Sequence, residues 1–346
     1  MSQRIVLFCE KPYALSILQP LAQEAERRGY TCLWYLHPPL AAAGVADGIR
    51  ATDSLADLMA FDPQAILVPG NEVPYYLPGV KVQVFHGFAG EKKGHFRIRD
   101  YFDLYLTQGP YFTERFAELS RRHGDFDVQE TGWPRLDRLF NGSLDPLAAR
   151  QQLGLQPNQP VLLYAPTFSP RLTSVPDLLP RLPELAAALE MQVVVKFHPL
   201  MDARWVDQCR DLAAGHESVL LASDADVSPC LVTADLLLSD TSSVVYEALL
   251  LDKPVVTWKT TAEAPIWPDV SEPEALLPVL QQTLTSGPPE PNTVKERYHP
   301  YTDGESSARM LDAVADYIER HGVPKQRQLG FWRRRRVHKT FGPPPC

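Results

Sequence analysis

The sequence predicts an α/β fold of two domains, each a parallel β-sheet with helices on both faces. Three observations lead there. Short, fully apolar runs alternate with helical periodicity along most of the chain. The 346 residues exceed what a single core usually organises. A stretch rich in proline and glycine near the middle separates two similar series of elements.

The first series opens with the apolar strand Ile5–Cys9, followed by helical spacing from Ala14 to Arg28 that stops at Gly29, a common helix terminator. Thr31–Leu36 reads as a second strand, Ser54–Ala60 as a short helix, Ala65–Val68 as a third strand and Val80–Phe85 as a fourth. Leu104–Thr107 is a further buried strand, and Tyr111–His123 the helix after it. Gly142, Asp145-Pro146, Gly154 and Pro157-Asn158-Gln159-Pro160 then break the pattern. The second series has strands at Val161–Ala165, Gln192–Phe197, Ser218–Leu221, Leu236–Leu238 and Pro254–Thr257, and a helix from Ala308 to Arg320. The expected organisation is an N-terminal Rossmann-like domain at 1–140, a linker region with a short helix at 141–160, a C-terminal Rossmann-like domain at 161–306, a C-terminal helix at 307–320 and a basic, proline-rich tail at 321–346. The two series match in element order and show no residue-level repeat.

Composition narrows the function. Apolar residues at 45% and charged residues at 22% suit an ordinary globular core. A net charge of -8 argues against nucleic-acid binding, so any anionic ligand must be met by a local cluster. The five cysteines are scattered without C-x-x-C spacing, which points to reduced thiols and a cytoplasmic setting. Neither a signal-peptide pattern nor an apolar run of membrane-spanning length is present.

In open α/β sheets, ligands bind beyond the carboxyl ends of the strands, so polar residues just after strands are the candidates. Ser239-Asp240-Thr241-Ser242-Ser243 follows a buried strand and opens a helix, and its hydroxyls and backbone N–H groups suit phosphate oxygens. The same residues are also good helix caps. Lys196-Phe197-His198-Pro199 puts a cation and an imidazole at another strand exit, where a lysine needs an anion or a carboxylate; a satisfied, half-buried histidine is the other reading of His198. His86-Gly87 ends a strand, with Lys92-Lys93-Gly94 beyond; Gly87 permits close ligand approach and His86 suits a general base. Tyr164-Ala165-Pro166-Thr167-Phe168, with Arg171 nearby, offers a hydroxyl, an aromatic face and a guanidinium, and taken alone reads equally well as a structural loop. Asp224-Ala225-Asp226 has the D-x-D form of some metal sites but no second ligand cluster, so no metal and no cofactor are expected. Dinucleotide, Walker and serine-hydrolase motifs are absent from the sequence.

Taken in order, these clusters make the chain resemble the CDP-glycerol glycerophosphotransferase family, which includes teichoic-acid polymerases and primases. The matching segments are His86-Gly87, Lys92-Lys93-Gly94, Gly132-Trp133-Pro134-Arg135-Leu136-Asp137, Tyr164–Thr167, Lys196–Pro199 and Ser239–Glu247, with a weaker one at Asp303–Arg309. The resemblance implies a GT-B arrangement of two Rossmann-like domains facing across a cleft. It also implies transfer of an alcohol-phosphate from a CDP-linked donor to a glycan or lipid-linked acceptor, with release of CMP. His86 would be the base. His198 would be catalytic with it, stabilising charge on the leaving group, and Thr167, Lys196, Asp240, Thr241, Ser242, Ser243 and Glu247 would bind the donor, with Gly87, Pro134, Arg135, Asp137 and Arg171 in support. Phe88-Ala89-Gly90 depart from the small hydroxyl residue and proline usual after His-Gly, and Glu247 replaces the usual Asp.

The alternatives are a GT-B sugar transferase or nucleotide-sugar epimerase using another nucleotide donor, and a non-catalytic nucleotide- or glycan-binding protein. Phe331-Trp332-Arg333-Arg334-Arg335-Arg336 in the tail is expected either to touch an anionic membrane surface or to be a solvated, disordered segment.

Overall fold

The computed structural model describes residues 3–42, 49–88, 95–223 and 226–345. Lys92-Lys93-Gly94, Ala89-Gly90 and Asp224-Ala225 lie outside the described residues. The chain forms two compact units, residues 1–141 with 297–346, and residues 142–296.

The first unit carries seven parallel strands: β1 (Arg4–Cys9), β2 (Thr31–Leu36), β3 (Ala51–Thr52), β4 (Ala65–Val68), β5 (Val80–Val84), β6 (Leu104–Thr107) and β7 (Asp127–Glu130), in the order β3-β2-β1-β4-β5-β6-β7. The central strands β1 and β4 are buried on both faces, which is why they read as unbroken apolar runs, while β5 buries Lys81 and Gln83 along with its valines. Chain direction across the sheet reverses between β1 and β4, and such a switch point opens a crevice at the carboxyl ends. The edge strands β3 and β7 are half-buried and polar, so neither leaves an apolar run in the sequence.

The second unit has six parallel strands: β8 (Val161–Tyr164), β9 (Gln192–Val195), β10 (Val219–Leu221), β11 (Leu236–Ser239), β12 (Val255–Trp258) and β13 (Asp269–Val270), ordered β10-β9-β8-β11-β12-β13. Its switch point lies between β8 and β11. Leu162, Tyr164, Val193, Val195, Leu236 and Leu238 form its core with the helix Leu182–Leu189 and its approach.

The expected boundary at 306 differs from the observed one, because the chain rejoins the first unit at Arg297. The helix Ser306–His321 is seated there by Asp137, whose carboxylate accepts from Ser306 N at 2.9 Å, Ser307 N at 2.8 Å and Ser307 Oγ at 2.7 Å. Arg309 Nε donates to Thr131 O at 2.8 Å. Gly132, at φ +87°, lies so close that a Cβ there would sit 2.4 Å from Ser306 Oγ. The 132–137 and 303–309 segments are therefore two sides of one joint. Asp137→Ala would orphan three buried donors and remove a helix cap, a loss of about 3 kcal/mol. The expected result is a melting temperature lower by roughly 6–12 °C; an unchanged value contradicts the joint. Segment 141–160 contains the helix Pro146–Gln152, capped by Asp145, and from Gly142 on it belongs to the second unit rather than standing apart as a linker.

The expected tail also folds. Residues Phe331–Phe341 form a helix on the first unit, with Val337 fully buried. Among the described residues no helix is long and apolar enough to cross a membrane.

Candidate active site

In the second unit the polar clusters converge at the carboxyl ends of β9, β8 and β11, on the switch point. Tyr164 pairs with Val195 on one side and Leu238 on the other, so the three strand exits start level. Ser239 Oγ donates to Ala165 O at 2.7 Å and joins two of the exits. The Asp240 carboxylate is buried and turned to the neighbouring loop, where it accepts from Thr167 N, Ser174 N and Ser174 Oγ, each at 2.8 Å. Because the one Ser174 hydroxyl hydrogen goes to Asp240, Tyr164 Oη donates to Ser174 Oγ at 2.8 Å. Asp240 is therefore a clamp on the 167–174 loop rather than a group presented to a ligand.

Burial pushes the Asp240 carboxyl up to about 6, against the opposing pull of its hydrogen-bond donors. A raised acid favours the protonated folded state, so its contribution to stability is complete below pH about 4 and is lost as pH rises through about 6. The melting temperature of Asp240→Asn should accordingly depend less on pH than that of wild type across this window. Parallel melting curves would exclude the clamp as a titrating group.

Thr241 Oγ1 accepts from Thr261 N at 3.0 Å, leaving its own hydrogen to donate elsewhere. Thr241, Ser242 and Ser243 are half-buried and lead into the helix Val244–Leu250. With only seven residues this helix sums few peptide dipoles, so individual hydroxyl and N–H donors carry the anion-binding capacity. Glu247 lies in the same helix and is buried. Lys196 is buried as well, its ammonium donating to Phe197 O at 2.6 Å. His198 is exposed and stacks on Phe168 with ring centroids 4.4 Å apart. Its Nδ1 accepts from Leu200 N at 3.1 Å, so the neutral ring carries its proton on Nε2 and presents a donor there. Arg171 is exposed on the loop after Thr167.

In the first unit His86 is exposed at the end of β5, with Gly87 beside it. His86 Nδ1 lies 2.8 Å from Pro69 O, and a carbonyl only accepts, so Nδ1 carries the proton of the neutral ring and the lone pair is on Nε2. The two histidines are thus held as opposite tautomers, His86 as a base at Nε2 and His198 as a donor at Nε2. Trp133 Nε1 donates to Phe85 O at 2.7 Å, and Trp133 N donates to His299 Nε2 at 3.0 Å. Phe88 is fully buried, edge-on to Trp133 at 5.0 Å. Pro134, Arg135 and Asp137 support this joint: the Arg135 guanidinium lies 5.6 Å from the Trp133 ring, and Pro134 starts the turn leading to Asp137.

Two residues on this side of the first unit, Tyr13 and Glu10, were not singled out from the sequence. Tyr13 has its ring centroid 5.2 Å from that of His86. Glu10 follows β1 at the switch point and reaches the loop after β4, where a Cβ on Gly70 would lie 2.0 Å from Glu10 Oε2. Burial, then the nearby Glu72, raise the Glu10 carboxyl to about 7. The available signal was positional, an acid directly after the first strand, and it becomes readable only with the strand order in hand. Among the described residues no group of three or more His, Cys, Asp or Glu side chains could hold a metal ion.

Two doubly wound units, each with a polar constellation at its carboxyl edge, define an α/β protein of the GT-B class. The fold is that of the wall teichoic acid polymerase TagF, at 19% identity and TM-score 0.67 over 92% of this chain and 89% of that one. It is also that of a putative UDP-N-acetylglucosamine 2-epimerase from Listeria monocytogenes, at 15% identity and TM-score 0.65 over 95% and 100%. The chain belongs to the CDP-Glycerol:Poly(glycerophosphate) glycerophosphotransferase family, whose model matches residues 80–264, more than half of the chain. It is 27% identical over 165 residues to the teichoic acid glycerol-phosphate primase of Bacillus spizizenii, covering 47% of this chain and 42% of that protein. Over 271 residues it is 27% identical to the teichoic acid ribitol-phosphate polymerase TarL of Staphylococcus aureus, covering 66% and 46%. The chain thus spans less than half the length of these relatives.

Proposed function

We propose that the protein transfers an alcohol-phosphate, glycerol-phosphate or a related polyol phosphate, from a CDP-linked donor to a hydroxyl of a surface-glycan or lipid-linked acceptor, releasing CMP. The observation that carries this reading is the convergence of Thr167, Lys196, His198 and the Ser239–Ser243 turn on one switch point, inside the segment matched by the family. The second unit serves the donor and the first the acceptor. Family membership, and relatives named as glycerol-phosphate and ribitol-phosphate enzymes, support the donor class. So does a TagF structure soaked with CDPG.

In the proposed step His86 Nε2 takes the proton of the acceptor hydroxyl, whose oxygen attacks the phosphorus on the alcohol side of the diphosphate. A new P–O bond forms, the bond from that phosphorus to the bridging oxygen breaks, and CMP leaves with the bridging oxygen. Phosphoryl transfer is governed by positioning and charge stabilisation, so donors aimed at the diphosphate do most of the work. The Nε2–H of His198 and the hydroxyls of Thr241, Ser242 and Ser243 fill that role. Lys196 adds positive charge beside them, Asp240 and Thr167 shape the loop, and Arg171 and Glu247 complete the donor side. The work site is the cytoplasm, at the inner face of the membrane that would hold a lipid-linked acceptor.

The likeness to UDP-N-acetylglucosamine 2-epimerases favours a second reading, a nucleotide-sugar enzyme. A thermal-shift screen separates the two. Stabilisation by CDP-glycerol or CDP-ribitol, lost in Ser242→Ala/Ser243→Ala, is expected; stabilisation by UDP-sugars alone would reject the CDP-alcohol reading.

A further inference from the structure

The helix Phe331–Phe341 has two faces of different chemistry. At 100° per residue, Val337, Arg333, Phe341, Arg334 and His338 fall on one side. This side is fastened to the first unit. Val337 is buried, and the Phe341 ring lies 5.9 Å from that of Phe8. His338 Nε2 is 3.2 Å from Tyr75 Oη, and the Arg334 guanidinium lies 5.5 Å from the Tyr75 ring. Arg333 Nε pairs with Asp100 at 2.7 Å.

The opposite side consists of Phe331, Arg335 and Lys339 at i, i+4 and i+8, flanked by Trp332 and Arg336 at i and i+4. Phe331 and Trp332 are 70% and 75% exposed, the most exposed large apolar side chains among the described residues. The helix contains no acidic residue, while the whole chain carries a charge of -8. Two aromatics and the two cations Arg335 and Lys339, displayed outward on a helix whose other face is anchored, have the composition of an interfacial element. A water-facing helix of an acidic protein has no need of the aromatic pair.

We propose that this outward face docks on an anionic lipid surface. Phe331 and Trp332 enter the boundary between headgroups and acyl chains, and Arg335 and Lys339 pair with headgroup phosphates. The anchoring contacts decide what is brought to the membrane. Phe341 packs on Phe8, the next-to-last residue of β1, and Tyr76 Oη donates to Gly342 O at 3.1 Å. Arg336 also pairs with Glu72, in the loop after β4 that contains Pro69, the His86 partner. The docked face therefore sets the carboxyl edge of the first unit, with His86, alongside the lipid. The purpose of docking rests on the acceptor-side reading of that edge; the docking itself does not.

Co-sedimentation of the whole chain with phosphatidylcholine vesicles, with and without phosphatidylglycerol, tests the proposal. Binding is expected only with phosphatidylglycerol. It should weaken about 25-fold in R335A/K339A, from about fivefold per basic residue at such a surface, and it should also fall in F331A/W332A. CMP release from CDP-glycerol with a water-soluble acceptor should stay at the wild-type level in both variants, which also reports that they fold. Equal partitioning into neutral vesicles, or variants that bind like wild type, would overturn the docking proposal. Vesicle binding without any CMP release would leave docking supported and reject the reading of the active site instead.

Discussion

His86→Ala is expected to slow CMP release by about 10²–10⁴-fold, the contribution of a positioned general base, with melting temperature unchanged. The side chain is exposed at the end of β5, so truncation opens no cavity. What it removes is the imidazole whose Nδ1–H is held by Pro69 O and whose Nε2 therefore carries the lone pair. His86→Asn separates these functions, because an amide N–H can still reach Pro69 O but cannot take a proton near neutral pH. It should be as slow as His86→Ala. Substantial activity in His86→Asn would show that the residue orients the loop and that the base lies elsewhere.

The second large effect is expected at His198, with the opposite pattern of rescue. Leu200 N–H donates to its Nδ1, so this ring acts as a donor through Nε2. His198→Ala should lower turnover by about 10²–10³-fold, as the loss of one donor to developing negative charge does. Gln places an N–H near the lost Nε2, and His198→Gln should recover about tenfold of that loss. Glutamine restores a donor and asparagine cannot restore a base, so the two variants together test the tautomers. If His198→Gln is no better than His198→Ala while His86→Asn retains activity, the roles are assigned the wrong way round. Stacking on Phe168 gives a control, since Phe168→Leu should loosen His198 and raise the apparent KM for donor more than it lowers turnover.

The parts of this account legible in the sequence are those where burial is complete on both faces. Ile5–Cys9, Ala65–Val68, Val161–Tyr164 and the run ending at Ser239 are unbroken apolar stretches because helices cover both sides of the sheet. A polar residue just after such a run stands out, which is how His86, His198 and the serine-rich turn could be found. Three of the four edge strands left no such mark, β10 being the exception. Asp127–Glu130 is half-buried throughout, and Ala51–Thr52 and Asp269–Val270 are only two residues long.

Long-range partnerships were harder still. Nothing local in Ser306–His321 says that Asp137 caps it, or that the chain past Arg297 belongs to the first unit. Asp240 was legible as a member of the turn, but the inward direction of its carboxylate depends on Ser174, 66 residues away. Glu10 was invisible for the same reason, since its neighbourhood is made by the loop after β4. The cationic run from Arg333 was plain in the sequence, whereas its division into an anchored and an outward face required the positions of Tyr75, Asp100 and Phe8.

The central claim is that a CDP-linked alcohol-phosphate is the donor and that its diphosphate is broken in transfer. The most direct test is CMP release from CDP-glycerol, CDP-ribitol and UDP-N-acetylglucosamine, each with and without a polyol-phosphate or lipid-linked acceptor. The account predicts acceptor-dependent release of CMP from at least one CDP-alcohol, abolished in His86→Ala, with no turnover of the UDP-sugar. Turnover of UDP-N-acetylglucosamine with every CDP-alcohol left intact would contradict it.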